Sequence, residues 1–153
     1  MKKPVDHSGT RVWLVLMKAH RALARHASKS IGRFDIGLSD FAILEVLLHK
    51  GPLLVNDIGR RIELTSGAIT SAVDRLEARG LVRRSADLTD RRARVIHLTA
   101  EGEACIQPIF AFHKQVMDDA ASGLSAAERA TLIELLKKLG TFAQTRDQPP
   151  EDP

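Results

Sequence analysis

The apolar positions of this 153-residue chain recur mostly at helical spacing. From Thr10 to about Ser30 they fall at Val12, Trp13, Leu16, Met17, Leu23 and Ala24, with His20 on the same stripe and Ala27 and Ile31 beyond it. Steps of three and four residues predict one long helix there. The stretch GRFDIG breaks the pattern, and Ser39 is placed to cap a second helix, DFAILEVLLHK. Its inner stripe is Phe41, Leu44, Leu47 and Leu48, and Gly51 ends it. A short helix is predicted over about 55–62, with Leu54, Ile58 and Ile62 in i, i+4, i+8 register. After the tight connection ELT, a further helix starts near Thr65 or Ser66 and runs to Arg79. Its inner positions are Ile69, Val73 and Leu76, and Gly80 stops it.

The period then changes from about 3.6 to 2. LVRRS and ARVIHLT are short, β-branched and alternating, which predicts a two-stranded hairpin from about Leu81 to Leu98. Thr99 caps the next long helix, whose first turn carries Glu101 and Glu103 and which contains Pro108, expected to bend it. The last helix opens with a capping box, Ser125 to Glu128, and carries Leu132, Ile133, Leu135, Leu136, Leu139 and Phe142. Residues 145–153 read as a disordered tail. Two short helices joined by a tight turn and followed by a basic hairpin form the layout of a winged helix-turn-helix. The expected fold is therefore mainly α with a small β-hairpin wing and helical segments from both termini. The expected divisions are 8–34 and 99–144 for the terminal helices, with 35–98 for the winged module.

Composition narrows the setting. No apolar run approaches the roughly 18–20 residues that span a bilayer, and the N-terminal MKKPVDHSG has no apolar segment behind its lysines. A single cysteine, Cys105, excludes an internal disulfide framework, so a cytoplasmic setting without membrane partners is expected. The formal net charge is only +4, but five arginines and two aspartates fall between Leu81 and Val95. Clustering of that kind marks a face that meets a polyanion.

The helix TSGAITSAVDRLEARG has a solvent face of Ser66, Gly67, Thr70, Ser71 and Arg75. Its N-terminal end is small and polar, so it can enter a major groove about 12 Å wide, where hydroxyls meet base edges and free N–H groups meet phosphate. In the hairpin loop SADLTDRRARV, an arginine at the tip can enter a narrow, strongly negative minor groove. Asp90 stands two residues before Arg92, where it can brace the guanidinium and reduce the side-chain entropy lost on binding, at most about 2 kcal/mol. The plainer reading, an aspartate that merely closes the turn, remains open. No phosphate loop, nucleophile elbow or convergent Ser/His/Asp set occurs, so no enzyme, catalytic residue or cofactor is expected.

The ordered run Asp74, Arg75, Leu76, Glu77, Gly80, Leu81, Val82, Arg84, then Asp90 and Arg92, then Leu98, Thr99 and Gly102 resembles the multiple antibiotic resistance regulator (MarR) family. LLHKGPL and LTSGAIT look most like a branch that answers to phenols, quinones or similar aromatics. Gly59 departs from the family pattern, in which alanine is common. The resemblance implies a homodimer with intertwined terminal helices, reading double-stranded DNA through residues 65–79 and 85–94. The expected DNA-facing residues are Thr65, Ser66, Gly67, Thr70, Ser71, Arg75, Arg84, Asp90, Arg91 and Arg92. It also implies a repressor released by a small aromatic or phenolic effector, for which Trp13, Met17, His20, Phe34, Phe41, Phe112 and His113 are candidate pocket residues. Pairing has a physical reason as well: the terminal helices carry more apolar surface than one small winged module can cover. A two-fold dimer implies a pseudo-palindromic operator with half-sites about 10 bp apart. Three alternatives stay open: oxidant sensing through Cys105, metal sensing through His7, His20, His26 and His113, and a winged module that binds protein. No HxxxH or CxxC spacing supports a metal.

Overall fold

The computed structural model describes residues 6–86 and 93–146. The elements run α1 (Gly9–Ile31), α2 (Leu38–Lys50), β1 (Leu53–Leu54), α3 (Val55–Ile62), α4 (Ser66–Ala78), β2 (Val82–Ala86), β3 (Arg94–Leu98), α5 (Ala100–Ala120) and α6 (Ala126–Arg146). The fold is mainly helical with a small antiparallel sheet, the winged-helix arrangement expected from the change of period. Two compact units divide the chain, Met1–Met117 and Asp118–Pro153.

In the first unit, α2 contributes Ile43, Leu44 and Leu47 to the core, and α3 contributes Ile58. Ile69, Ala72, Val73 and Leu76 come from α4, Val82 and Ile96 from the sheet, and Ile106 and Ile109 from α5. The stripe read on α4 is thus its buried face. Gly80 takes φ +71 directly after α4, a backbone state that costs glycine little, and this turn reverses the chain into β2. Thr99 caps α5 as expected: its Oγ1 accepts from Gly102 N at 2.9 Å and donates to Gly80 O at 2.7 Å. The helix continues through Pro108 to Ala120.

Three local expectations change. The ladder of α2 starts two residues earlier than Ser39 would have it: Phe41 N donates to Gly37 O at 2.9 Å, so Gly37 is the cap and Ser39 lies inside the helix. The sheet has a third strand, in the order β1-β3-β2, with Leu53 opposite Ile96 and Leu54 opposite Val95. A two-residue strand has no period of its own, and its partner lies some forty residues later. Finally, α6 runs through Thr145 and Arg146, two residues into the expected tail; Thr145 Oγ1 donates to Phe142 O at 2.7 Å, and the Arg146 guanidinium lies 5.3 Å from the Phe142 ring centroid. The remaining tail residues, 147–153, lie outside the described residues.

In the second unit the predicted capping box closes α6. Ser125 Oγ accepts from Glu128 N at 3.3 Å, and Ser125 N donates to Glu128 Oε2 at 2.8 Å. Those bonds from Ser125 hold the Glu128 carboxyl below its ordinary pKa. No residue of α6 is buried.

Candidate nucleic-acid interface

The N-terminus of α4 is built for exposure. Thr65 is its cap, with Oγ1 accepting from Ala68 N at 3.3 Å. Thr65, Ser66, Gly67, Thr70 and Ser71 are all exposed. A Cβ placed on Gly67 would meet nothing within 4 Å, so the protein's own packing does not require a glycine there. The bare backbone instead keeps the outward face flat, as close approach to a groove requires. Thr70 Oγ1 donates to Ser66 O at 2.9 Å, which leaves its oxygen free to accept.

Between this helix and the sheet lies an open groove of about 290 Å³, lined by Leu54, Val55, Asn56, Thr70, Arg84, Ala93 and Arg94. Asn56 and Arg94 were not among the residues expected from the sequence. Arg94 was legible as a wing arginine, whereas Asn56 reaches the groove only because β1 pairs with β3 and carries the start of α3 to it. Asp90, Arg91 and Arg92 lie outside the described residues.

Of the four arginines expected on this surface, the two among the described residues, Arg75 and Arg84, are tied to carboxylates. Arg75 Nη2 donates to Asp40 Oδ1 at 2.6 Å, and its Nε lies 3.4 Å from Oδ2. The Asp40 hydrogen bond and charge raise the Arg75 pKa further. Arg84 bonds Asp74 Oδ1 at 2.5 Å and also pairs with Glu77 Oε2, while its backbone N donates to Glu77 Oε1 at 3.1 Å. Burial works against the charge of Arg84, and the two carboxylates outweigh it, raising its pKa overall.

A second concavity, about 190 Å³, lies between the C-terminal part of α1 and α5 and is lined by His26, Lys29, Ser30, Arg33, Phe112 and Val116. The Arg33 guanidinium sits 5.2 Å from the Phe112 ring centroid, and Phe34 meets that ring edge-on at 5.6 Å. Behind it, the His113 ring lies 5.0 Å from Phe41, with Nδ1 2.8 Å from Ser30 Oγ. Ser30 donates its one hydroxyl proton to Ala27 O at 2.8 Å, so His113 Nδ1 is the donor to Ser30. Burial lowers the His113 pKa, and the nearby Glu45 charge opposes that only in part. Of the aromatic candidates, Phe112 lines this crevice, and Phe34, Phe41 and His113 stand next to it. Trp13, Met17 and His20 lie further toward the start of α1, with Trp13 59 % exposed. His26, Lys29 and Arg33 were missed, although their i, i+3, i+7 spacing at the end of α1 and just beyond it could have revealed them.

Among the described residues, no three of His, Cys, Asp and Glu group as a metal ion would require, and no helix is long and apolar enough to cross a membrane. Cys105 packs half-buried against the core.

A recognition helix with a small polar end, backed by a short helix and flanked by an arginine-rich hairpin, defines a winged helix-turn-helix DNA-binding protein. The chain belongs to the MarR family of transcriptional regulators, whose model matches residues 34–93. It is 37% identical over 134 residues to the HTH-type transcriptional regulator MhqR of Bacillus subtilis (strain 168), a match covering 88% of this chain and 92% of that one. The structure of Bordetella bronchiseptica BpsR, described with regulation of its DNA binding by 6-hydroxynicotinic acid, superposes with a TM-score of 0.76 at 25% identity, covering 90% of this chain and 98% of that one. A mutant MarR from E.coli complexed with operator DNA has the same fold, with a TM-score of 0.74 at 23% identity over 84% of this chain and 93% of that one.

Proposed function

We propose that the protein is a homodimeric repressor that binds a pseudo-palindromic operator and releases it when a small aromatic effector enters the crevice beside Phe112. In this reading residues 8–34 and 99–144 pair the two copies, and 35–98 read DNA. Thr65, Ser66, Gly67, Thr70 and Ser71 enter the major groove. Arg91 and Arg92, with Asp90 as the brace, serve the minor groove. The observation that carries the proposal is the apolar surface that the terminal helices leave exposed. Both terminal helices present large apolar side chains to solvent: Val12, Trp13, Leu14 and Val15 on α1, and Leu132, Ile133, Leu135, Leu136, Leu139 and Phe142 on α6. Exposed stripes of that kind favour association. The N-terminal end of α4 exposes small polar side chains instead.

The crevice supports an aromatic acid. Phe112 offers a ring wall, and His26, Lys29 and Arg33 offer positive or donor groups around it. Its volume lies below the roughly 300 Å³ at which drug-sized sites begin, which suits a single-ring molecule. 6-Hydroxynicotinic acid, described as regulating the DNA binding of BpsR, is of that class.

Light scattering combined with gel shift tests the reading. A dimer mass is expected, with binding that weakens steeply as salt rises. Arg92→Ala should weaken binding to every duplex and flatten the log–log salt slope by about 1. 6-Hydroxynicotinic acid, a phenol and a quinone are then titrated into the protein–DNA complex. A monomer in solution, or a complex indifferent to all three compounds, overturns the corresponding part.

A further inference from the structure

The recognition helix α4 is held by two kinds of contact. Its buried stripe, Ile69, Ala72, Val73 and Leu76, packs on the core, but apolar packing has little directional preference and tolerates small rotations of a helix about its axis. Its two edges carry directional bonds. On one edge Ser71, Arg75 and Arg79 follow each other at i, i+4, i+8. Arg79 Nη1 donates to Asp35 O at 3.3 Å, and Arg75 grips Asp40 side-on through Nη2 and Nε. On the other edge Asp74 and Glu77 hold Arg84 of β2.

Asp40 is the unusual partner. Its side chain is only 7% exposed, in the first turn of α2, where a carboxylate is costly unless its oxygens are paired. Oδ1 receives Arg75 Nη2 and lies 3.4 Å from Ser39 Oγ; Oδ2 faces Arg75 Nε. Arg75 Nη2 is also 3.4 Å from Ser39 Oγ. Arg75 therefore spends its side-on donor pair within the protein, although half of its side chain faces solvent.

We infer that Asp40 and Arg75 are a positioning pair. They set the rotation of α4 and so aim Ser71, one turn ahead on the same edge, and Thr70 beside it at the bases. Arg75 acts on sequence preference through those hydroxyls and is not a phosphate ligand. The inference needs only that this MarR-family chain binds DNA; it does not depend on the dimer, repressor or effector readings above.

The test uses the full chain and two probes: a duplex enriched by the parent protein from a random-sequence pool, and a scrambled duplex of the same composition. Affinities for both are measured across a salt series at a temperature where circular dichroism shows each variant folded. Asp40→Asn and Arg75→Met should each lower the preference for the enriched duplex about tenfold, the worth of one good base contact. The salt slope should stay unchanged. The double variant should be no worse than either single one, because both remove the same interaction. Arg75→Lys, which keeps the charge but cannot grip side-on, should lose preference as Arg75→Met does, and it carries the test if Arg75→Met fails to fold. A phosphate-contacting Arg75 gives the opposite pattern. Asp40→Asn would then keep or raise affinity on both duplexes, and Arg75→Met would flatten the slope by about 0.9 per arginine. Full preference retained by Arg75→Lys would also overturn the inference.

Discussion

Adding one methyl group at two different glycines should move stability in opposite directions. Gly102 lies in the first turn of α5. A Cβ there would stand 1.9 Å from Leu81 O, 2.9 Å from Leu81 C and 2.9 Å from Leu98 Cδ1. Carbon and carbonyl oxygen settle no closer than roughly 3.3 Å, so α5 would have to retreat by about 1.4 Å. That retreat stretches Thr99 N to Leu81 O, now 3.1 Å, and Thr99 Oγ1 to Gly80 O, now 2.7 Å, beyond bonding range. Two hydrogen bonds at about 1 kcal/mol each, with a further 1–3 kcal/mol for a stranded carbonyl, exceed the roughly 1 kcal/mol by which helix propensity favours alanine. Gly102→Ala should therefore lose about 2–4 kcal/mol. Gly59, inside α3, is the contrast. Its Cβ would meet Leu64 O at 3.5 Å and Ile69 Cδ1 at 3.8 Å, ordinary contacts. Only propensity and the stiffer unfolded chain then act, and Gly59→Ala should gain about 0.5–1 kcal/mol. Urea unfolding at fixed protein concentration reads both. Gly102→Ala melting at or above the parent, or both variants shifting the same way, would refute reasoning from close approach.

The remaining predictions concern the helix-turn-helix connection and acid. Glu63 ends α3 at φ +54, a left-handed state that costs a side chain and not a glycine, so Glu63→Gly should stabilise by about 0.5–1 kcal/mol in the same urea assay; a loss would mean the Glu63 side chain contributes more than the strain removes. Burial lowers the pKa of His113, and burial with the Arg83 charge lowers that of His97. For each, the unfolded chain takes up the proton first, so stability should hold above the ordinary value of 6.5 and fall as pH drops below it. In His113→Gln that fall should be shallower; an equal fall in parent and variant would mean that His113 is not one of the groups responsible.

Several features could be read without coordinates because each depends on a residue's near neighbours in the chain. The spacing of Ile69, Val73 and Leu76 defines the buried face of α4, Gly80 marks its end, Thr99 caps α5, and Ser125 with Glu128 closes α6. Ser39 shows the limit of local reading: its type suits a helix cap, but the backbone ladder began two residues early and made Gly37 the cap. The polar end of α4 and the arginines of the wing were also visible, since exposure on a helix face follows from the same period as burial.

What the tertiary structure alone decided is which groups meet. Asp40 and Arg75 are 35 residues apart, and nothing in either neighbourhood distinguishes a tethered arginine from one left for phosphate. The same holds for Leu53 and Leu54, which become a strand only beside β3, and for the crevice that joins Lys29 and Arg33 of the α1 end to Phe112 of α5. Periodicity is a property of consecutive positions, so the chain states it directly. Pairing is a property of distant positions brought together by core packing, and it exists only once that packing is complete.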